Sequence, residues 1–240
     1  MRQRRRVHIY RSKWHLAATA FFLLAPFAYL LFFSRITNIT AGRLLADVGV
    51  SVSRVAAAYI ISLFLAWGFA ILFYRGKRSA LALPIFDVLQ SFPTFAALPL
   101  AVSYWGATEF TVVFFLIFAI IWPIFFSVLS SLKLMKHEWE EAVAIAGLSG
   151  SDYLRLLVIP VSIPAAITGS LIGLGDAWEA IVATEVIVRN PIGLGSFFTQ
   201  FSTNPEITTF GILGFLILIF SINRLVWTPL LEWSHRYVEE

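Results

Sequence analysis

Long apolar stretches alternate with short polar segments along the chain. The first stretch, 16–34, holds 19 residues without a charge and follows a basic N-terminal segment. At a rise of about 1.5 Å per residue, a helix of this length spans roughly 28 Å, close to the ~30 Å hydrocarbon core of a bilayer. Because no small-residue cleavage site follows the stretch, an uncleaved membrane helix is favoured over a signal peptide.

Five further stretches predict five more membrane helices. They are 55–74, 80–104, 110–132, 163–188 and 210–231. The third helix, 80–104, contains three prolines, which predict a kinked or partly unwound segment. The pattern therefore predicts an all-α integral membrane protein with about six transmembrane helices.

The composition also favours lipid as the solvent. Of the 240 residues, 59% are hydrophobic and 13% are charged, and the mean hydropathy is +0.81. A soluble fold of this size could not bury so much apolar surface, because many of its residues must face water. A soluble enzyme and a disordered chain are disfavoured, and the absence of Cys excludes a disulfide-stapled secreted module. Residues 1–240 are interpreted as a single transmembrane domain.

Basic residues mark one side of the predicted helices. With the N-terminus inside, 13 of the 18 Lys and Arg residues are cytoplasmic, and six of these precede the first helix. The predicted cytoplasmic segments are 1–14, 75–79, 132–158 and 232–240. The asymmetry follows the positive-inside rule and predicts two cytoplasmic termini, so the basic arm 1–14 reports topology rather than nucleic-acid binding. On the outside, only 35–53 and 189–208 are predicted to be longer loops.

The longest polar interruption is 133–160, on the predicted cytoplasmic side. Three acidic residues open a helix at its positive dipole end: Glu138, Glu140 and Glu141. Gly147 ends this helix, and a second short helix, 153–158, leads back to the membrane. We expect a helix–turn–helix along the cytoplasmic surface that offers small side chains and acidic charge to another protein. The alternative is an amphipathic interfacial helix without a partner.

This segment carries a recognisable motif. Glu141-Ala142-Val143, then three residues, Gly147, nine residues and 157–160 (LVIP) resemble the EAA signature of permease subunits of binding-protein-dependent ABC importers. That signature reads E-A-A, three residues, G, nine residues, I-x-L-P. The glutamate, the first alanine, the glycine and the proline match, and each of the three departures exchanges one apolar residue for another.

The resemblance extends beyond the motif and implies a core permease region of about 45–235. The segments 84–87 and 91–100 look like the proline-broken third helix of the nitrate/sulfonate/taurine branch. The segment 177–185, followed by Gly193-Leu194-Gly195, is similar to that branch's fifth helix and the loop after it. The implied fold is that of a type I ABC importer permease.

By this resemblance, 138–158 is the coupling loop that docks in a cleft of the ATP-binding subunit. The implied docking residues are Glu140, Glu141, Ala142, Gly147 and Pro160. The implied partners are two copies of the ABC ATP-binding subunit, a second permease subunit (in a homo- or heterodimer), an extracytoplasmic solute-binding protein and the lipid bilayer, with no nucleic acid. The implied location is the inner membrane of a bacterial or archaeal cell.

Catalytic motifs are absent from the sequence. No G-x-x-x-x-G-K-[ST] occurs, since Gly76-Lys77-Arg78 lacks both the upstream glycine and the hydroxyl. ATP is therefore expected to be used by the partner ATPase, and no cofactor is expected in this chain. No paired histidine motif for a metal occurs either, so a membrane enzyme is disfavoured and neither metal-ligating nor catalytic residues are assigned.

Four acidic residues fall in or near the predicted membrane helices: Asp87, Asp176, Glu179 and Glu185. An ionised carboxylate in hydrocarbon costs at least ~2.5 kcal/mol, so such residues normally face a bundle interior, water or a partner. The first three are candidates for lining a translocation pathway. The alternative is structural pairing, either with a second copy or with Arg54, Arg189 or Arg224. For Glu185, near the outer end of its helix, a structural role is favoured.

The fifth predicted helix carries two further signals. Asp176 and Glu179 are three residues apart and share a helix face, which favours a cationic or neutral solute over nitrate or sulfonate as a hypothesis. Its small residues Gly169, Gly173 and Gly175 would let a neighbouring helix approach closely.

The sequence thus favours the permease subunit of an ATP-driven importer that works by alternating access. The alternative function is an ATP-independent secondary transporter or channel, whose expected marks are an inverted repeat and intramembrane ion sites. A membrane anchor or assembly subunit without transport is the third interpretation.

Overall fold

The chain forms a bundle of helices in a computed structural model, which describes residues 13–239 and the side chains of residues 18–234. The helices are α1 (Lys13–Thr37), α2 (Ala41–Phe73), α3 (Gly76–Gln90), α4 (Thr94–Trp105), α5 (Glu109–Lys133), α6 (His137–Ile145), α7 (Ser151–Tyr153), α8 (Ile159–Val188), α9 (Leu194–Gln200), α10 (Pro205–Ile222) and α11 (Thr228–Glu239). Two π-helical turns, Leu154–Val158 and Asn223–Trp227, lead into α8 and α11. The all-α fold is confirmed for these residues, and most of the predicted basic arm, 1–14, lies outside them.

Six membrane crossings are compatible with these helices. Five are long and apolar enough alone: Ala18–Thr37, Ala41–Phe73, Glu109–Lys133, Ser151–Val188 and Pro205–Ser234. The sixth is the pair α3 and α4, which is bent by 84°. The bend falls at 91–93, where Pro93 has no N–H to continue the helical hydrogen bonds. The third predicted helix is therefore broken, as its prolines indicate.

The predicted outside loop 35–53 is wrong over most of its length, because α2 already begins at Ala41. Buried positions recur there every three or four residues, at Asp47, Ser51 and Arg54, which is the spacing of one helix face. A prediction from hydropathy treats these polar side chains as exposed to water, whereas in the fold they are buried beside their hydrogen-bonding partners. The other predicted outside loop, 189–208, contains the short helix α9.

The predicted separate helix 153–158 is also wrong, because most of this stretch is a π-helical turn continuous with α8. The turn ends two residues before Pro160, and the second π-helical turn ends two residues before Pro229. A proline lacks an N–H and its ring crowds the carbonyl four residues earlier. A locally wider turn accommodates both effects without breaking the helix.

The core is centred on α5, which packs between α2 and α8. On α8, a Cβ added at Gly169 would lie 2.7 Å from the Cα of Ile124, and one at Gly173 would lie 2.9 Å from the carbonyl oxygen of Ile120. The close approach predicted for these two glycines is therefore confirmed, since the α5 backbone fills the space of their missing side chains. Gly175 differs, because a Cβ there would meet nothing within 4 Å.

The two ends of the bundle are distinguished by their short helices. Arg75, in the turn between α2 and α3, pairs with Glu140 of α6, which defines the α6 end. At the start of α2, Asp47 Oδ1 accepts a hydrogen bond from the Gly193 N–H (3.0 Å) just before α9, which defines the α9 end. Helices α1 and α10 run along the side of the core, joined by the Tyr29 hydroxyl, which donates to the Phe210 carbonyl (2.7 Å).

Gly169→Ala should destabilise the bundle, whereas Gly175→Ala should not. The methyl group at 169 would overlap the α5 backbone, and overpacking of this kind costs about 1–3 kcal/mol. At 175 the methyl group has room and favours the helix slightly. Thermal unfolding of the detergent-solubilised protein measures the difference, and equal midpoints for the two variants would contradict the close packing of α5 and α8.

Candidate functional site

A buried arginine joins three helices and a loop at the α9 end. Arg54 of α2, which is 6% exposed, donates from Nη1 to Glu185 Oε1 on α8 (2.6 Å). Its Nε donates to Glu109 Oε2 at the start of α5 (2.6 Å), and Nη1 also donates to the Ile192 carbonyl (3.0 Å). A buried guanidinium is tolerated only when it is paired and hydrogen-bonded. These bonds, here called the Arg54 network, hold the elements in one arrangement.

Glu185 is the second charge of the Arg54 network and is fully buried. Its Oε1 also accepts from the Ser51 hydroxyl (2.7 Å), and its Oε2 accepts from the Gly195 N–H (2.8 Å). The backbone at the start of α9 lies so close that a Cβ at Gly193 would be 2.5 Å from Glu185 Oε2, and one at Gly195 would be 2.4 Å from Glu185 Cβ. The structural role favoured for Glu185 is therefore confirmed.

Several members of this region were not predicted from the sequence. Glu109 receives two hydrogen bonds from Arg54 and one from Asn190 Nδ2 (3.3 Å). Ser51 Oγ accepts from the Leu194 N–H (2.9 Å), next to the bond between Asp47 and the Gly193 N–H. The sequence pattern that could have indicated this region is the helical spacing of Asp47, Ser51 and Arg54, which places them on one face of a helix that continues into an apolar stretch.

A cavity of about 540 Å³ lies between α5, α8 and the α3–α4 bend. Asp176 and Glu179 line it from α8, and Gln90 and Thr94 line it from the bend. Its remaining lining is apolar and half aromatic: Phe95, Phe118, Ala119, Trp122, Pro123, Phe126, Ile172 and Ala180. Asp176 and Glu179, which are predicted to share one helix face, thus line the same cavity. This cavity is here called the acidic cavity.

The carboxylates of the acidic cavity have no basic partner within the part of the chain whose side chains the structure describes. Among residues 18–234, no Lys, Arg or His nitrogen forms an ion pair with Asp176 or Glu179. The alternative of pairing with Arg54 is wrong within the chain, because Arg54 is occupied by Glu109 and Glu185. Asp87, the third candidate, is exposed on α3, accepts a hydrogen bond from Gln90 Nε2 (3.4 Å) and does not line the acidic cavity.

The helix α6 has one free face and one packed face. Glu138, Glu141, Ala142 and Ile145 are exposed and share a face, and Ile145 is 88% exposed. The opposite face, Trp139, Glu140 and Val143, is half-buried. Of the predicted docking residues, Glu141 and Ala142 are thus exposed, while Glu140 turns inward to Arg75. Pro160 lies apart from α6, in the first turn of α8.

Gly147 ends α6 in the way its sequence indicates. Its φ is +70°, a left-handed conformation that glycine adopts without strain. The Gly147 N–H donates to the Ala144 carbonyl (3.0 Å), and the Leu148 N–H donates to the Val143 carbonyl (3.1 Å), which is the Schellman pattern. A Cβ at Gly147 would meet nothing within 4 Å, so the chain is fully open around this residue.

Arg75 connects α6 to the turn between α2 and α3. Besides its ion pair with Glu140, its guanidinium lies over the rings of Tyr74 (4.9 Å to the centroid) and Tyr153 (5.8 Å). The two tyrosine hydroxyls are 3.4 Å apart. Arg75 is therefore held by charge on one side and by aromatic faces on the other.

Residues 58–227 match the family model of the binding-protein-dependent transport system inner membrane component. The chain belongs to this family. As a member of this permease family it is a multi-pass membrane protein of transport systems with the type I ABC importer permease fold, and the resemblance found in the EAA-like segment is confirmed.

Curated relatives agree with the family. An ABC transporter permease protein of Methanocaldococcus jannaschii is 30% identical over 156 residues, covering 64% of this chain and 58% of its own length. The nitrate import permease protein NrtB of Synechocystis sp. is 30% identical over 148 residues (61% and 54%), and the bicarbonate transport system permease protein CmpB of Synechococcus elongatus is 25% identical over 148 residues (61% and 53%). This chain spans just over half the length of these relatives.

Glu185→Gln should destabilise this permease much more than Glu109→Gln. The first change leaves the buried Arg54 without its buried counter-charge, which typically costs about 3–5 kcal/mol. The Glu109 side chain is 63% exposed, so its loss should cost less than ~1 kcal/mol. Unfolding midpoints in detergent measure the stability of both variants. Equal losses of stability would contradict the conclusion that the Arg54–Glu185 pair stabilises the fold more than the Arg54–Glu109 pair.

Proposed function

We propose that this chain is the permease subunit of an ATP-driven importer, which forms the translocation pathway and couples through α6 to a separate ATPase subunit. The observation that carries the proposal is the free face of α6 at the position of the EAA-like motif. Family membership supports the transport role, and the exposed helix supports the coupling role.

The free face of α6 has the chemistry of a docking surface. Ile145 is 88% exposed and lies beside Ala142 and Glu141 on the same face, so this face combines an apolar side chain with acidic charge. Glu141 adds a charge, with Oε1 at 3.2 Å from His137 Nε2. Ala142 and Gly147 leave room for a partner to approach the helix backbone. An ATPase subunit would therefore contact Glu141, Ala142, Ile145 and Gly147.

The packed face of α6 supplies a route for coupling. Glu140 holds Arg75, and Arg75 is the residue directly before α3. Gln90 at the far end of α3 lines the acidic cavity. A displacement of α6 by the ATPase would thus reach the cavity through α3. Asp176 and Glu179 are proposed to line the translocation pathway, and Asp87 stays a sequence-based prediction outside the acidic cavity.

The remaining parts of the importer follow from this assignment. The protein would lie in the inner membrane of a bacterial or archaeal cell, with the α6 end and both termini on the cytoplasmic side. Two ATPase subunits, which use ATP, would bind on this side. The α9 end would receive cargo from an extracytoplasmic solute-binding protein. A second permease subunit, identical or different, would complete the pathway, and this chain would itself carry no cofactor.

Glu141→Lys and Ile145→Asp should each strongly weaken association with the ATPase subunit. Both place an unfavourable group on the free face of α6 without touching its packed face, and loss of a central contact lowers affinity about tenfold or more. Co-purification of the ATPase with the tagged permease from membranes measures association. Glu206→Lys, an equal charge change at the α9 end, serves as the control. Undiminished co-purification of both α6 variants would contradict the docking role.

Arg75→Glu and Glu140→Arg should each impair coupling without impairing assembly. The pair is partly exposed, so breaking it costs about 1 kcal/mol or less of stability, and co-purification should persist. The measured quantities are substrate-stimulated ATP hydrolysis and uptake in proteoliposomes. The double variant, which restores the pair with reversed charges, should recover both. A double variant as defective as the single ones would contradict the coupling route.

The same proteoliposomes test the alternative function. Uptake by the permease alone, without the ATPase and without ATP, would support a secondary transporter or channel. Uptake that requires both would support the importer.

A further inference from the structure

The walls of the acidic cavity combine two kinds of surface. Phe118, Trp122 and Phe126 are spaced four residues apart on α5, so their rings form one stripe along the cavity. Adjacent rings of this stripe are in contact, with centroids 5.4 Å (Phe118–Trp122) and 6.5 Å (Trp122–Phe126) apart. Asp176 and Glu179 line the same cavity from α8. The cavity therefore offers aromatic rings and carboxylates to one occupant.

The charge of this cavity is uncompensated within the described chain. Its lining contains two carboxylates and no Lys, Arg or His, and no ion pair with either carboxylate occurs among residues 18–234. The neighbouring acid Glu185, by contrast, is fully buried and paired with Arg54. Two like charges at one site repel each other, and a bound cation would remove that repulsion.

We infer that the acidic cavity binds a small organic cation, whose charged nitrogen lies beside Asp176 and Glu179 while its body packs on the aromatic stripe. This inference rests on the proposed function, since it names the substrate class of that pathway. Aromatic faces attract alkylated or ring nitrogens because the ring quadrupole is negative at its face. A cavity of about 540 Å³ also lies in the size range of small-molecule sites.

Other classes of solute fit this cavity less well. A small anion such as nitrate or bicarbonate would lie against two carboxylates without an arginine or lysine to hold it. A Mg²⁺ or Ca²⁺ ion prefers a shell of six or more oxygen ligands, whereas most of this lining is apolar. The organic cation is the class that uses both the carboxylates and the rings.

Equilibrium binding to the full chain in nanodiscs tests this inference, with choline and N-methylpyridinium as cation probes and nitrate and bicarbonate as anion probes. We expect saturable binding of at least one cation and none of the anions. Asp176→Asn and Glu179→Gln should each weaken cation binding about tenfold or more. Phe118→Leu, which keeps an apolar side chain but removes a ring, should weaken it several-fold, and Glu206→Gln should leave it unchanged.

The outcomes separate the two proposals. No saturable binding of either cation, binding of nitrate or bicarbonate in this cavity, or cation binding that survives the double variant of Asp176→Asn and Glu179→Gln would overturn the inference. Unfolding midpoints of each variant, measured in the same nanodiscs, show whether a loss of binding reflects a loss of fold. Cation binding without ATPase association would support the cation site and contradict the proposed importer function. ATPase-driven uptake restricted to anions would support the importer function and contradict the cation site.

Discussion

The arrangement of the α9 end depends on one buried charge, the guanidinium of Arg54. Arginine cannot lose its proton to escape burial, so the fold must supply counter-charges and acceptors around it. Glu185 does so from α8, and Glu109 does so from α5. The loop after α8 and the first turn of α9 then cover Glu185 so closely that Gly193 and Gly195 have no room for a side chain. The start of α2, the two central helices and the loop are thus positioned by the same requirement.

Helix α8 carries carboxylates in two different environments, one on each of two opposite faces. Glu185 follows Asp176 by nine residues, which at 100° per residue places the two side chains on opposite faces of the helix. On one face the carboxylate is fully buried and accepts hydrogen bonds from Arg54, Ser51 and the Gly195 N–H. On the other face Asp176 and Glu179 line a cavity, and neither has a basic partner among residues 18–234. A carboxylate with a buried basic partner stabilises the fold, whereas an exposed carboxylate without one is available for a ligand.

Much of this fold follows from local patterns in the sequence. Apolar stretches predict the crossings, three prolines predict the break between α3 and α4, and Gly147 predicts the end of α6. The early start of α2 could not be read in the same way, because its polar residues are buried by partners from α5, α8 and the loop beyond. The position of Asp87 outside the cavity could not be predicted from the sequence either. It depends on the direction of the 84° bend between α3 and α4, which no local sequence pattern determines.

The core and the proposed coupling route place opposite demands on the bundle. Gly169 and Gly173 bring α8 against the α5 backbone, and such close packing resists sliding of one helix along the other. Helix α3 is held more loosely: most of its residues are exposed, and it is joined to α6 through Arg75. Its 15 residues span roughly 22 Å, from the Glu140 contact to the rim of the acidic cavity. In the proposed coupling, movement of α6 therefore reaches the cavity through the outer helix α3 while α5 and α8 stay packed together. The break between α3 and α4 matters here because Gln90 and Thr94, one on each side of it, both line the cavity, so that a displacement of α3 would change this part of the lining.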